Sequence, residues 1–143
     1  MYCHTYRHRV RYRECDPMGV VYHTHYLDYF EAARTEALRA MGLAYKTLEA
    51  QDVIMPVIDL AVEYKRPAHY DDLLEITACF DETPRVRVRL DYEVRRADDP
   101  TLLVAGHTTL CFFDRVRNRP IAAPAPVRAL FERALNGQKM RDF

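Results

Sequence analysis

The sequence predicts an α+β domain in which a curved antiparallel β-sheet wraps one long central helix. Three observations support this fold class: one stretch with a helical period, several stretches with a period of two, and no helical crossover between the later strands. Strands that follow one another without a crossover favour antiparallel pairing. The 143 residues suffice for a single domain, residues 1–143, with a core of its own.

The chain opens with a predicted strand over residues 4–13, where bulky side chains alternate with arginines. A loop that contains Pro and Gly follows over residues 14–22. Thr24 is the expected N-cap of a helix over residues 25–41, and Gly42 is expected to end that helix in a left-handed conformation. The apolar stripe of the helix comprises Leu27, Phe30, Ala33, Ala37, Leu38 and Met41.

Four further strands are predicted after a short helical piece at residues 44–51. They cover residues 54–64, 73–80, 85–95 and 102–114, with Gly106 expected at a bulge. The third of them has the clearest pattern, since apolar residues alternate with charged ones over its whole length. A short terminal helix is expected to begin at Pro126. The long helix must bury its stripe against the apolar face of these strands.

Composition limits the classes of function. Lys plus Arg number 21 and Asp plus Glu number 21, so the net charge gives no sign of a nucleic-acid partner. No apolar run approaches the roughly 20 residues that a membrane helix needs, and the first residues lack the apolar segment of a signal peptide. A cytoplasmic location is therefore expected. Reduced thiols, rather than a disulfide or a zinc site, are predicted at Cys3, Cys15, Cys79 and Cys111.

The sequence contains no serine, which excludes every Ser-His-Asp hydrolase. Any hydrolytic reaction must then use a carboxylate, a thiol, a threonine or a metal. Asp16 supplies a carboxylate in the loop that feeds the long helix, and the N-terminus of that helix offers unpaired N–H groups that stabilise an oxyanion. His23 and His25 could be metal ligands together with Asp16. Side chains two residues apart diverge on a helix, however, so no metal is predicted.

Two segments form a long motif: residues 12–23 (YRECDPMGVVYH) and residues 26–36 (YLDYFEAARTE). Shorter ones follow at residues 64–67 (YKRP), 72–76 (DLLEI) and 119–121 (RPI). From about residue 5 to residue 124, the chain thereby resembles the 4-hydroxybenzoyl-CoA thioesterase family. Within that family it is most similar to the bacterial YbgC-like acyl-CoA thioesterase branch. The resemblance implies the hotdog fold, in which a sheet wraps a central helix.

The resemblance also implies an acyl-CoA thioesterase that acts as a homodimer or homotetramer, with the substrate at the subunit interface and no cofactor. Asp16 matches the catalytic carboxylate, and the backbone N–H of His23 matches the group that contacts the thioester carbonyl. Tyr22, Tyr26 and Tyr29 are expected to line the acyl pocket or to pack the dimer, and the first two are predicted to bind substrate. The phosphates of coenzyme A are expected near two basic positions, Arg85 and Arg119. The arginine row that begins at Arg85 is also explained as a solvated strand face.

Two positions depart from the family pattern. The usual Asn two residues after His23 is His25, and the usual Asp two residues before Asp16 is Glu14, a mild change. The sequence leaves open whether Asp16 attacks the thioester or activates water. The acyl group is also open, as are two rival functions: hydrolysis of acyl groups on acyl carrier protein, and acyl-CoA binding without catalysis.

Overall fold

A five-stranded antiparallel sheet curves around one long helix in the computed structural model, which describes residues 1–141 and the side chains of residues 1–137. In chain order the elements are β1 (Tyr2–Arg9), a 3₁₀ turn (Tyr12–Glu14), α1 (His25–Ala40), α2 (Tyr45–Ala50), β2 (Val53–Ile54), β3 (Val57–Tyr64), β4 (Leu73–Phe80), β5 (Arg87–Arg96), β6 (Leu102–Cys111), β7 (Phe113–Asp114), β8 (Arg119–Pro120) and α3 (Ala125–Arg141). The strand order of the main sheet is β1-β4-β5-β6-β3, and β2, β7 and β8 form a small second sheet. The predicted α+β class with a central helix is confirmed. No helix in the described part of the chain is long and apolar enough to cross a membrane.

Helix α1 packs its aromatic and small residues against the sheet, mainly against β1 and β4. Its buried residues are Tyr26, Tyr29, Phe30, Ala33, Ala37 and Leu38. The predicted stripe is correct from its centre onward, but Leu27 is 38% exposed. Two tyrosines take the buried positions of the first turns, because Tyr26 packs against Tyr64 of β3 and Tyr29 packs against His8 of β1.

α1 begins at the predicted residue and ends one residue before the predicted end. Gly42 has a φ of +97°, and its N–H donates to the Arg39 carbonyl at 3.0 Å. The N–H of Leu43 donates to the Leu38 carbonyl at 2.9 Å, which completes a Schellman motif. Thr24 occupies the N-cap position, but its hydroxyl caps no N–H among the described residues.

The first strand begins two residues earlier than predicted and ends four residues earlier. It ends because Val10 turns inward, where it is 1% exposed, and its backbone pairs with the segment that leads into β4. The N–H of Val10 donates to the Asp72 carbonyl at 2.9 Å, and its carbonyl accepts from the N–H of Asp71 at 3.1 Å. The chain then forms the 3₁₀ turn, which places the following loop beside the start of β4.

Two of the predicted strands are interrupted. The strand predicted over residues 54–64 breaks at Pro56, which has no N–H for a ladder, and β2 pairs with β7 instead of joining the main sheet. The strand predicted over residues 102–114 divides at the buried residue Phe112. The terminal helix begins at Ala125, one residue before the predicted start, and spans 17 residues.

Strand β3 lies at the edge of the main sheet, although the sequence predicts that consecutive strands are neighbours. β4 pairs with β1, and β3 pairs with β6. Several apolar residues of β3 are exposed: Val57, Ile58, Leu60 and Tyr64. An exposed apolar edge strand is a surface that another chain can cover, because its backbone N–H and C=O groups are unpaired.

Gly106 does not lie at a bulge, which corrects the prediction. It pairs in regular register with Val62 of β3 and Tyr92 of β5. A Cβ atom at this position would lie 2.6 Å from the carbonyl oxygen of Ala61 and 2.8 Å from the ring of Phe30. The Phe30 ring stacks on Tyr92 with centroids 4.4 Å apart. Glycine is therefore required here because α1 approaches the sheet so closely.

Cys3 and Cys79 form a disulfide, which contradicts the prediction of four reduced thiols. The two residues are direct partners in the antiparallel β1–β4 pair, with Cα atoms 4.2 Å apart. Side chains of direct cross-strand partners are neighbours on one face of a sheet. The sequence could not show this pairing, because it depends on the register of strands whose cysteines are 76 positions apart. Cys15 and Cys111 are free thiols.

Loss of the Cys3–Cys79 bond is expected to lower the free energy of unfolding by roughly 2–4 kcal/mol, because the bond closes a long loop in the unfolded chain. Urea unfolding of the wild type and of Cys79→Ala, with and without reductant, measures this effect. Cys15→Ala is the matched control, since it keeps the bond and should respond to reductant as the wild type does. Equal stability of reduced and unreduced wild type would contradict the disulfide.

Candidate active site

Asp16 begins a tight hairpin turn. Its carbonyl accepts a hydrogen bond from the N–H of Gly19 at 2.9 Å, and its own N–H donates to the Val20 carbonyl at 2.9 Å. Gly19 has a φ of +81°, a conformation that favours glycine. Pro17 suits the second position of such a turn, and Asp suits the first. The sequence Asp-Pro-Met-Gly therefore fixes the backbone that carries the predicted catalytic carboxylate.

The carboxylate of Asp16 is held by one of its two oxygens. Oδ1 accepts hydrogen bonds from the backbone N–H groups of Met18 at 2.9 Å and Val20 at 3.4 Å. Within residues 1–137, no group donates a hydrogen bond to Oδ2. The side chain is half-buried. One oxygen is thus fixed by the hairpin, and the other remains able to accept a hydrogen bond.

The start of α1 supplies hydrogen-bond donors. The N–H of His25 donates to the Tyr22 carbonyl at 3.0 Å, whereas the N–H groups of His23 and Thr24 have no acceptor among the described residues. The hydroxyl of Tyr64 donates to the His23 carbonyl at 2.9 Å and thereby holds the peptide between His23 and Thr24. Unused N–H groups at a helix start favour a negative oxygen. This arrangement can stabilise an oxyanion.

The two tyrosines that were predicted to bind substrate lie in different environments. Tyr22 is exposed beside His23, with ring centroids 4.4 Å apart. Tyr26 is 2% exposed and packs edge-to-face on Tyr29 and Tyr64. Burial raises the pKa of Tyr26 to about 12, so its hydroxyl stays protonated at neutral pH. The part of both tyrosines in substrate binding stays a prediction.

Arg85 and Arg119 do not meet Asp16 within one subunit. Arg85 lies in the turn between β4 and β5, and Arg119 lies in β8 beside the same end of the sheet. The Asp16 hairpin joins the other end of β4, where Val20 bridges His69. The eight residues of β4 span roughly 26 Å. Within one chain, the carboxylate and these arginines therefore lie at opposite ends of β4.

His25, which replaces the usual Asn of the family, binds to the first turn of its own helix. Its Nδ1 atom lies 3.2 Å from Oδ2 of Asp28. In the described part of the chain, no three His, Cys, Asp or Glu side chains are grouped so that they could hold a metal ion.

Glu14 is the residue near the site whose importance the sequence did not reveal. It is only 9% exposed, and its Oε1 atom accepts hydrogen bonds from the N–H of Arg11 at 2.8 Å and the hydroxyl of Tyr29 at 3.0 Å. The Nε2 atom of His8 lies 2.9 Å from Oε1 and 3.1 Å from Oε2. One signal was present in the sequence: a Glu three residues after Arg11 has the spacing that caps a helical turn. Its burial between β1 and α1 had no such signal.

The chain matches the family model described as the thioesterase-like superfamily over residues 10–131. The acyl-CoA thioesterase YbgC of Haemophilus influenzae is 35% identical over 125 residues, which cover 86% of this chain and 90% of that protein. The putative acyl-CoA thioesterase YneP of Bacillus subtilis is 30% identical over 112 residues, which cover 78% of this chain and 80% of that protein.

A solved structure agrees with these sequence matches. The crystal structure of DHNA-CoA thioesterase from Staphylococcus aureus superposes on this chain with a TM-score of 0.88 and a sequence identity of 28%. The superposition covers 97% of this chain and 96% of that chain. The likeness thus includes the hairpin, the central helix and the whole main sheet.

Proposed function

The chain belongs to the thioesterase-like superfamily and is a thioester hydrolase with the hotdog fold, and on this premise we propose that it hydrolyses acyl-CoA to a free acid and coenzyme A. The observation that carries the proposal is the pairing of Asp16, with one open carboxylate oxygen, and a helix start with unused N–H groups. Relatives named as acyl-CoA thioesterases support coenzyme A as the carrier of the acyl group.

In the proposed reaction, the thioester carbonyl lies between Oδ2 of Asp16 and the N–H of His23. If Asp16 is the nucleophile, Oδ2 bonds to the acyl carbon and the C–S bond breaks. Coenzyme A leaves as a thiolate, and water then opens the mixed anhydride. If Asp16 is a general base, it takes a proton from the water that attacks the acyl carbon.

In either route the carbonyl oxygen becomes negative, and the N–H of His23 stabilises it. A thiolate is a good leaving group, so the reaction needs no strong general acid. It also needs no metal or other cofactor, since the carboxylate supplies the nucleophile or base. His25 is assigned no part in either step, since its imidazole contacts Asp28 in the first turn of α1.

His23→Ala is expected to keep kcat within about tenfold of the wild type, because alanine retains the backbone N–H that acts as the donor. Initial rates of thiol release at saturating acyl-CoA measure kcat. His4→Ala, a change in β1 away from the hairpin and from β3, is the control for loss of an imidazole. A fall of more than about 10³-fold in His23→Ala alone would contradict the backbone role.

We also propose that the active unit is a homodimer formed through the exposed edge of β3. Two copies of β3 that pair antiparallel across a twofold axis join their two sheets into one. The Val57 end of one copy then lies beside the Tyr64 end of the other. Because Tyr64 contacts the His23 carbonyl, this pairing brings the far end of the partner's sheet to the helix start. Assembly of such dimers into a tetramer stays a prediction.

A groove lined by arginines lies at that far end of the sheet. Arg85, Arg87 and Arg89 border an open groove of about 720 Å³. In the proposed dimer the groove lies three strand spacings from the partner's Tyr64, or roughly 15 Å. An extended coenzyme A molecule bridges this distance, so that its phosphates bind guanidinium groups of one subunit while Asp16 of the other meets the thioester.

A thiol-release assay over acyl-CoAs with short, aromatic and long acyl groups tests the proposed function. We expect hydrolysis of at least one of them. Tight binding of acyl-CoA without release of thiol would reveal a non-catalytic binding protein and overturn the proposal. The assay is repeated with the same acyl groups attached to acyl carrier protein. Faster hydrolysis of these thioesters than of the acyl-CoAs would identify acyl-carrier-protein thioesters as the substrate.

The cytoplasm stays the predicted location of this reaction. The Cys3–Cys79 disulfide is a bond that cytosolic proteins rarely keep. Reduced and unreduced enzyme should therefore be assayed side by side, because the reduced form is the one that the cytosol favours.

A further inference from the structure

Glu14 connects three elements of the molecule through one buried carboxylate. Its partners belong to β1, to the residue before the 3₁₀ turn and to α1: they are His8, the N–H of Arg11 and the hydroxyl of Tyr29. The ring of Tyr29 also packs against the His8 ring, with centroids 4.6 Å apart. The carboxylate therefore fixes the end of the first strand and the first turns of the long helix relative to each other.

The backbone of Glu14 closes the hairpin that carries Asp16. Its carbonyl accepts a hydrogen bond from the N–H of Tyr22 at 2.9 Å, and Asp16 lies two residues further along the chain. The hairpin holds the reacting carboxylate, and the N–H donors of His23 and Thr24 lie directly before α1. The contacts of Glu14 thus join the two halves of the site, although its own side chain is buried.

The charge of Glu14 suits this role. Burial by itself raises the pKa of its carboxyl group, but hydrogen bonds from Arg11, His8 and Tyr29 outweigh burial and hold the pKa below its usual value. Burial and the nearby charge of Glu14 raise the pKa of Tyr29, so the phenol remains a donor. An ionised carboxylate only accepts hydrogen bonds and can satisfy all three donors, whereas the amide of a glutamine presents two N–H groups.

We propose that Glu14 is a positioning residue of the thioesterase reaction, which holds the Asp16 hairpin in place against the start of α1. The inference rests on the function proposed above for Asp16. Glu14 acts through Asp16 and does not touch the substrate. A displacement of about 1 Å, caused by a change away from the reacting atoms, can cost roughly 10² in rate. Loss of the Glu14 contacts should therefore affect turnover more than substrate binding.

Glu14→Gln keeps the size of the side chain but replaces an acceptor by a donor. We expect kcat to fall about 10²-fold while KM stays within about threefold, because the substrate-binding groups are unchanged. Tyr29→Phe removes one hydroxyl and should lower kcat by about tenfold in the same way. Phe131→Leu, a core change where α3 packs on Phe80, is the control for lost stability. If Phe131→Leu, at the same loss of Tm, lowers kcat as much as Glu14→Gln does, the role of Glu14 is structural only and the proposal fails.

Amide hydrogen exchange tests the same proposal without turnover. The N–H groups of Met18 and Val20 bind Asp16 Oδ1, and in Glu14→Gln they should exchange at least about tenfold faster while the amides of β5 are unchanged. Unchanged exchange at both positions would overturn the proposal even if activity fell. A wild type that hydrolyses no acyl-CoA would refute the proposed function, and the exchange rates would still decide whether Glu14 holds the hairpin. Should Glu14→Gln fail to fold, Tyr29→Phe carries both measurements.

Discussion

Asp16→Asn is expected to lower kcat for acyl-CoA hydrolysis by about 10³-fold with little change in KM. The asparagine keeps an oxygen for the N–H groups of Met18 and Val20, so the hairpin retains its hydrogen bonds. It has no negative charge, however, and it can neither attack a thioester nor take a proton from water. Initial rates of thiol release over a range of acyl-CoA concentrations give both constants.

A matched change elsewhere separates this effect from general damage. Asp98→Asn alters an exposed acid in the turn between β5 and β6, and it should leave kcat unchanged. Both variants should unfold at nearly the same temperature as the wild type. Wild-type turnover in Asp16→Asn would remove Asp16 from the reaction and leave the free thiol of Cys15 as the neighbouring nucleophile to test.

Leu60→Lys is expected to convert the proposed dimer into a monomer and to lower kcat/KM by at least about 10²-fold. Leu60 is 46% exposed in the middle of the edge strand β3, which forms the interface of the proposed dimer. A lysine at position 60 places like charges in the proposed interface and disfavours the pairing of two β3 edges. The monomer would lack the arginines that the partner supplies in the proposed dimer, and the loss of two charge-assisted hydrogen bonds at about 1.5–3 kcal/mol each would account for the fall.

Light scattering and thiol release, measured on the same sample, decide this prediction. Thr5→Lys is the matched control, since it places a lysine on the exposed face of β1, the other edge strand of the sheet. That variant should keep both the dimer and the activity. A monomeric Leu60→Lys enzyme with full activity would show that one subunit contains a complete site.

The local elements could be predicted from the sequence because their signals are local. The limits of β4 are as predicted, and α1 ends within one residue of its prediction, because alternation, helical spacing and Gly42 act over a few residues. The position of β3 at the far edge could not be predicted in this way. It depends on β1 pairing with β4, a contact between segments far apart in the chain.

The residues of the candidate site also differ in whether local sequence patterns or long-range contacts place them. Asp16 and its turn follow from a short run of residues, and the helix start follows from the change of period after Thr24. Glu14 looks like an ordinary surface acid in the sequence, and only the packing of β1 against α1 buries it. The disulfide of Cys3 likewise requires a register that residue patterns do not encode. Local sequence patterns do not predict the environment of charged or reactive groups when it depends on contacts between distant segments.

The bare backbone at Gly106 has a consequence for efforts to change the acyl specificity of this enzyme. Mutant libraries that reshape the region around α1 will include Phe30, whose ring occupies the space that any side chain at position 106 would need. Substitutions at positions 30 and 106 are therefore coupled, and the two positions have to be varied together. A library that randomises position 106 alone will yield mostly misfolded protein. Even paired with a smaller residue at position 30, any substitution must still displace the strand that carries Ala61.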